Sequence, residues 1–444
     1  MLEELKKAVD RFSRIDGAVR IVTHYDTDGI TAGSILALAL KRADRQFRIS
    51  AISQLDKKNI EILKAEENKI LFLLDIGSAH LEELSKFEGD IFILDHHEIK
   101  NLILEKNISF INPHLAEEDD SSASALAYLF VKELDSRNTD LASLAVLGLV
   151  GDFADQNLGK IGNMLIQDAK EMIIKKNLLL FPSTRPLNKA LEFSNIYIPG
   201  VTGSSIGASN LIREAGIKIR EEGKIKTLLD LNEEELSNLI TLITLKKADA
   251  QQNIIGKIYL IKFFSQLEDA RELSSLINAC GKLGYSDTAI AFCMGSKKSK
   301  SNAESIYSKY KHELISGLNW ISLHDKIEGE GYIIINAGSD IKESVIGTLM
   351  SILASSFIYP ENTILIGMAN TADGRIKVSA RTVGHNECSN LKKIIEKPAE
   401  LAGGESGGHK KAAGCFIPID KEQTFIELLQ KELNVMHLQI KVSG

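Results

Sequence analysis

The chain has 444 residues, 44% of them hydrophobic and 25% charged, an ordinary globular balance with room for two or three cored domains. Its formal net charge of −7 excludes a general attraction to polyanions, so a nucleic acid would have to be held by local basic patches. The four cysteines, Cys280, Cys293, Cys388 and Cys415, lie far apart, which argues against a thiolate zinc site or a disulfide framework and for a reducing compartment.

The opening Met1–Lys7 is charged and amphipathic, unlike a signal peptide, and the longest apolar stretch, around Ala142–Gly151, is too short to span a bilayer. A soluble, cytoplasmic protein with no membrane partner is expected. A strand over Ala18–Thr23 runs into His24-Tyr25-Asp26-Thr27-Asp28-Gly29, and a helix over Thr31–Arg42 follows. Strand Phe47–Ile52, a helix near Asn59–Ala65 and strand Lys69–Leu74, ending in Asp75, come next. Ser78 is placed to cap a short helix through Phe87; strand Asp90–Leu94 then delivers Asp95-His96-His97, ahead of strand Ile108–Ile111. Helices Ser122–Glu133 and Leu141–Val150 close this part, the second breaking at Gly151 to present Asp152. Such alternation predicts a mainly parallel sheet covered by helices, with ligands gathered at the carboxyl ends of the strands.

From Ala154 to Leu276 the pattern is mostly helical, Asn232-Glu233-Glu234-Glu235 opening a long run through Ile255. Gly295-Ser296-Lys297-Lys298-Ser299-Lys300-Ser301 reads as a basic loop. Residues 331–444 read as a second α/β domain: strand Tyr332–Asn336, helix Ile341–Ser355, strand Asn362–Ala369, the turn Thr371–Gly374 and strand Arg375–Arg381. The glycine-rich segment Gly403–Gly414 follows.

His24, Asp26, Asp28, Asp75, His96 and Asp152 offer oxygen and imidazole nitrogen without thiolate, a set that suits Mn²⁺ or Mg²⁺, with Mn²⁺ favoured by the imidazoles. Four carboxylates crowded at one sheet edge repel unless cations neutralise them. Two metals about 3.5–4 Å apart would satisfy them, and Asp75, at a central strand end, is the expected bridge. Asp95 is expected to hold the His96 ring, leaving His97 for a scissile phosphate or a proton. In the C-terminal part, Ser379 and Arg381 at a strand end, with Gly407, Gly408 and His409, look like a phosphate clamp: glycines let backbone amides approach an anion, and a guanidinium suits bidentate contact.

These residues resemble the DHH phosphoesterase superfamily and, within it, the RecJ-like nucleases. His24–Gly29 looks like the first motif, Asp75 the second, Asp95-His96-His97 the third and Gly151-Asp152 the fourth. Gly407-Gly408-His409 with Ala412-Ala413-Gly414 resembles the glycine motif of the DHH-associated C-terminal domain, here interrupted by Glu405-Ser406. The run Arg271–Gly281 and the helical middle look most like archaeal RecJ-like proteins. The resemblance implies an α/β fold of three parts: a DHH metal-binding catalytic domain over 1–155, a helical connector over 156–330 and a smaller DHH-associated substrate-binding domain over 331–444. It also implies two Mn²⁺ ions between the domains and exonucleolytic cleavage of single-stranded DNA or RNA threaded through the cleft, in replication, repair or RNA processing. Two alternatives stay open. One is a small-molecule phosphoesterase acting on nanoRNA, a cyclic dinucleotide or a phosphorylated nucleoside. The other is a replication-complex scaffold that binds GINS or other replisome proteins.

Overall fold

The computed structural model describes residues 1–66, 68–99, 105–116, 121–155, 158–194, 196–221, 223–247, 254–356, 358–384, 390–408, 410 and 412–443. Contacts divide the chain into two compact units, Met1–Lys176 with Lys257–Ser308 and Asn177–Gly256 with Lys309–Gly444.

In the first unit, short apolar runs form five strands: β1 Val19–His24, β2 Phe47–Ile52, β3 Ile70–Leu74, β4 Asp90–Leu94 and β5 Ile108–Ile111. They pair in parallel in the order β2-β1-β3-β4-β5, so the order reverses between β1 and β3, the position beyond whose strand ends sheets of this kind bind ligands. The register carries this further. Thr23 pairs with Leu74, Leu74 with Leu94 and Leu94 with Ile111. One residue past that row stand His24, Asp75, Asp95 and Asn112, so four polar residues far apart in sequence become neighbours.

Helices α1 Leu2–Phe12, α2 Thr27–Arg42, α3 Lys57–Ala65, α4 Leu81–Leu84, α5 Ala123–Leu134 and α6 Ala142–Gly151 cover the sheet. On one face Val22, Leu71, Leu73, Ile91, Ile93 and Phe110 pack with Ile60 and Leu63 of α3 and Leu81 and Leu84 of α4. On the other, the alternate residues Phe72 and Phe92 stack at 4.7 Å, with Phe12 of α1 edge-on to Phe72 at 5.2 Å and Phe130 of α5 at 5.4 Å. Fully burying a phenyl ring contributes roughly 1.5–3 kcal/mol, so this cluster fixes the sheet against its helices.

Helix α2 begins at Thr27, four residues before the expected Thr31, because the Asp26 carboxylate accepts the Gly29 amide at 3.0 Å as its N-cap. Gly29 is obligatory there: a Cβ would stand 2.5 Å from the His24 carbonyl oxygen.

The expected helical middle contains strands as well. Ile173–Leu178 is a strand, and Ile255–Phe263 and Gln266–Asp269 form an antiparallel hairpin turned at Phe264 and Ser265. The helix opened by Asn232 spans Glu233–Lys247, and Ile255 starts a strand rather than ending that helix. The expected basic loop is instead the start of helix Lys297–Leu323, where Ser296 Oγ accepts the Ser299 amide at 3.3 Å.

The C-terminal sheet runs Ile327–Gly329, Tyr332–Asn336, Ile364–Asn370, Arg375–Thr382, Ala412–Pro418, Glu405–Gly408 in spatial order. Tyr332–Asn336 and Ile364–Asn370 are parallel, and the other pairs are antiparallel. Ile366, Val378, Ala380 and Ile417 pack with Leu391, Ile395, Phe425 and Leu429 in its core. Among the described residues no helix is long and apolar enough to cross a membrane.

Candidate metal centre

Six of the predicted ligands converge at the carboxyl edge of the parallel sheet. His24 Nδ1 lies 2.8 Å from Asp26 Oδ2 and 3.4 Å from Asp75 Oδ2. His96 Nε2 lies 3.2 Å from Asp75 Oδ1, 3.0 Å from Asp152 Oδ2 and 3.9 Å from Asp28 Oδ2. The ligand atoms form three overlapping groups: His24, Asp26 and Asp75; Asp28, His96 and Asp152; and Asp75, His96 and His97. Asp75 thus faces one imidazole with each carboxylate oxygen.

Local structure holds each side chain. Asp28, in the first turn of α2, is fully buried and accepts the amides of Ala123 at 2.5 Å and Ser124 at 3.0 Å, so the N-terminus of α5 grips both its oxygens. Asp75 leaves β3 with φ +62°, in the left-handed region, while its amide still bonds to the Leu94 carbonyl at 3.0 Å. Asp152 is the C-cap of α6.

Asp95 takes a different partner from the expected one. It accepts the His97 ring Nδ1 at 2.7 Å, the His97 amide at 3.2 Å and the Ser78 amide at 2.8 Å. It therefore holds His97, not His96, which turns instead to Asp75 and Asp152. Asn112, buried one residue past β5, donates to Ser78 Oγ at 3.1 Å and to the His97 carbonyl at 3.0 Å. Ser78, expected to cap a helix, instead gives its amide to Asp95, and the short helix starts at Leu81 after His80. Asn112 and the α5 amides went unnoticed in the sequence; a polar residue ending the fifth apolar run was the available signal for Asn112.

The charges are strongly coupled. Burial would lower the His24 imidazole, but its hydrogen bonds to Asp26 and Asp75 push it up to about 10. Burial opposes His96 likewise, and Asp152 and Asp75 push it up to about 12. His97 is raised by its hydrogen bond to Asp95. Burial and the Asp26 charge raise Asp75 to about 6, while burial with Asp152 and Asp75 raises Asp28 well above the carboxylate range. Burial opposes Asp26 too, but His24 draws it down to about 2. Protons and carboxylates thus balance one another, and a divalent cation competes for the same lone pairs. Asp75 Oδ1 and His96 Nε2 are buried and face each other at 3.2 Å, and among the described residues neither makes a well-directed hydrogen bond. Buried polar atoms left in this way fit a cation once the imidazole gives up its proton, and the donor set, carboxylate oxygen with imidazole nitrogen, fits Mn²⁺ or Mg²⁺.

In the C-terminal unit, Ser379 pairs in register with Gly414, which pairs with Gly407 across the next strand, so these three share one row. Arg381, on the same face as Ser379, donates from Nε to Ser351 Oγ at 3.0 Å, and burial lowers its guanidinium. Gly407 and Gly408 lie exposed on the edge strand; Gly408 has φ +125°, and a Cβ there would meet the Ala412 carbonyl oxygen at 2.4 Å. His409 lies outside the described residues.

The sequence matches the DHH family, N-terminal domain, over residues 18–149, the DHH-CID domain over 180–254 and the DHHA1 domain over 329–435. The chain belongs to the DHH superfamily. Its DHH domain matches the region that carries His24, Asp26, Asp28, Asp75 and His96. An uncharacterized protein of Methanocaldococcus jannaschii is 28% identical over 96% of both chains. Among solved structures, CDC45 from Entamoeba histolytica is 12% identical, with a TM-score of 0.67 and 98% of each chain covered. RecJ in complex with Mn²⁺ from Thermus thermophilus is 15% identical with a TM-score of 0.60; 97% of this chain covers 54% of that one. At these identities the likeness shows the fold. Family and ligand set together make this DHH protein a metal-dependent phosphoesterase.

Proposed function

We propose that the protein is an exonuclease that removes nucleotides from an end of single-stranded DNA or RNA with two Mn²⁺ ions. The observation that carries this reading is Asp75, buried and shared between two ligand groups. His24, Asp26 and Asp75 would hold one ion, and Asp28, Asp75, His96 and Asp152 the other. Bound there, the ions would supply Lewis-acid polarisation of a phosphodiester and a lowered pKa for an attacking water. The protein's own groups do the rest. The α5 amides keep Asp28 in place against the repulsion of its neighbours. Asp95 orients His97 through Nδ1, which leaves Nε2, on a half-exposed ring, to contact the phosphate or hand a proton to the leaving oxygen.

We assign the catalytic role to residues 1–155, a connecting role to 156–330 and substrate binding to 331–444, with Ser379, Arg381, Gly407, Gly408 and His409 as phosphate contacts. The test is digestion of long 5′- and 3′-labelled single-stranded DNA and RNA, beside blunt duplex, with Mn²⁺ and resolved on gels. Stepwise products from one labelled end support the reading. A strand left intact, with short oligonucleotides or cyclic dinucleotides hydrolysed, replaces it with a small-molecule phosphoesterase. Likeness to the CDC45 fold favours a second reading, a replisome component that binds GINS. Co-purification from native extract that persists in an inactive Asp75→Ala protein would support that role.

A further inference from the structure

The turn after α6 carries an aromatic ring where its geometry calls for glycine. The Phe153 amide donates to the Val150 carbonyl at 3.2 Å and the Ala154 amide to the Leu149 carbonyl at 3.1 Å, the paired bonds of a Schellman cap. The residue in Phe153's position of that motif is left-handed and usually glycine; Phe153 adopts it at φ +58°. Its side chain lies mostly in solvent. Phe153 is 64% exposed, and no ring–ring or cation–ring contact among the described residues involves it. Phe264 shows the contrast: also left-handed, at φ +47°, it packs 4.9 Å from Phe263 and 5.5 Å from Phe292, beneath the Lys300 ammonium.

The backbone that presents Phe153 is anchored. Two residues on, buried Asp155 accepts the Arg271 guanidinium at 2.6 Å, and its carbonyl accepts the Tyr259 hydroxyl at 3.4 Å. On the other side the ring directly follows Asp152, whose Oδ2 stands 3.0 Å from His96. A left-handed, solvent-facing aromatic on an anchored backbone, in the residue that follows a candidate ligand of a phosphoester centre, suggests a use beyond the fold. Every nucleotide bound there brings a base next to its phosphate, and aromatic stacking accepts any base.

We infer that Phe153 is a stacking platform for the nucleobase beside the scissile phosphodiester, so that the centre prefers a nucleotide that carries a base, of any identity, over an abasic one. The inference rests on the strand-degrading reading above. The experiment compares Mn²⁺-loaded wild type, Phe153→Gly and Phe153→Trp in single-turnover cleavage of two short single-stranded oligonucleotides. One carries all its bases; the other is abasic at both ends. Phe153→Gly is expected to slow cleavage of the first strand roughly 5- to 100-fold and to leave its rate on the second near that of wild type, while Phe153→Trp keeps the preference. Because glycine suits the turn, the thermal midpoint of Phe153→Gly should equal or exceed that of wild type, with unchanged Mn²⁺ content. Equal rates for wild type and Phe153→Gly on the first strand would overturn the inference. So would an equal loss on both strands, which would show that the ring merely holds Asp152. A wild type that cleaves neither strand overturns the strand-degrading reading itself, and this inference with it.

Discussion

Asp95→Asn keeps the shape of the side chain and removes its charge, which isolates what the carboxylate does for the third motif. The wild-type group is buried, with one oxygen on the Ser78 amide and the other on the His97 amide and ring. An asparagine must turn its NH₂ toward one of those donors, so at least one charge-assisted hydrogen bond is lost and a buried donor is left facing another. That change costs roughly 1.5–3 kcal/mol. The pH dependence has a definite sign. Asp95 is held well below the usual carboxylate range by His97 and Ser78, against the effect of burial, so its contribution is present above that range and lost only in strong acid. His97 is raised above 6.5 by Asp95, so its share is full below that value and fades as pH rises through the raised one. His97 is half-exposed, so this second part is small. Urea unfolding of metal-free wild type and variant should therefore show a gap that is largest near pH 6 and narrows under alkaline conditions. Mn²⁺ affinity should also fall, because the same loop carries His96. Coincident unfolding curves, or a gap that widens with pH, would refute the anchoring role.

Other outcomes follow from the same geometry. Mn²⁺ must displace protons from rings raised to about 10 at His24 and about 12 at His96, so calorimetric affinity should increase with pH, by up to about tenfold per unit for each proton released; a flat profile would contradict the coupling. Gly29→Ala puts a Cβ 2.5 Å from the His24 carbonyl oxygen and should cost roughly 1–3 kcal/mol, read as a lower thermal midpoint together with weaker Mn²⁺ binding. Arg381→Ala should slow single-turnover cleavage about tenfold to hundredfold, for the loss of roughly 1.5–3 kcal/mol of phosphate contact, at unchanged Mn²⁺ content. Wild-type kinetics in that variant would remove Arg381 from the substrate-binding set.

The strand ends were legible because each is an apolar run that stops abruptly at a polar residue: β4 and β5 fall at the expected residues. Parallel register then does what sequence order cannot, aligning Asp75, Asp95 and Asn112 at one edge. The start of α2 was misplaced because Thr27-Asp28-Gly29 looks like a turn. In the fold, Asp26 caps a helix there and Gly29 serves close approach rather than breaking it. Which imidazole Asp95 takes depends on the turn between them and on Ser78, a tertiary outcome with no trace in the triplet itself. Lys297-Lys298-Ser299-Lys300 looked like a loop for its charge, yet lysine is a good helix former and Ser296 supplies the cap. The strand Ile173–Leu178 was missed because only Asn177 and Leu178 of its six residues are buried, leaving little alternation to read.

The central claim is one carboxylate shared by two cations, and counting bound manganese tests it most directly. Mn²⁺ per chain, measured by elemental analysis after equilibrium dialysis, should be two for wild type and fall below one for Asp75→Ala, with an unchanged far-ultraviolet circular dichroism spectrum. Two ions retained by Asp75→Ala, or none taken up by the wild type, would contradict it.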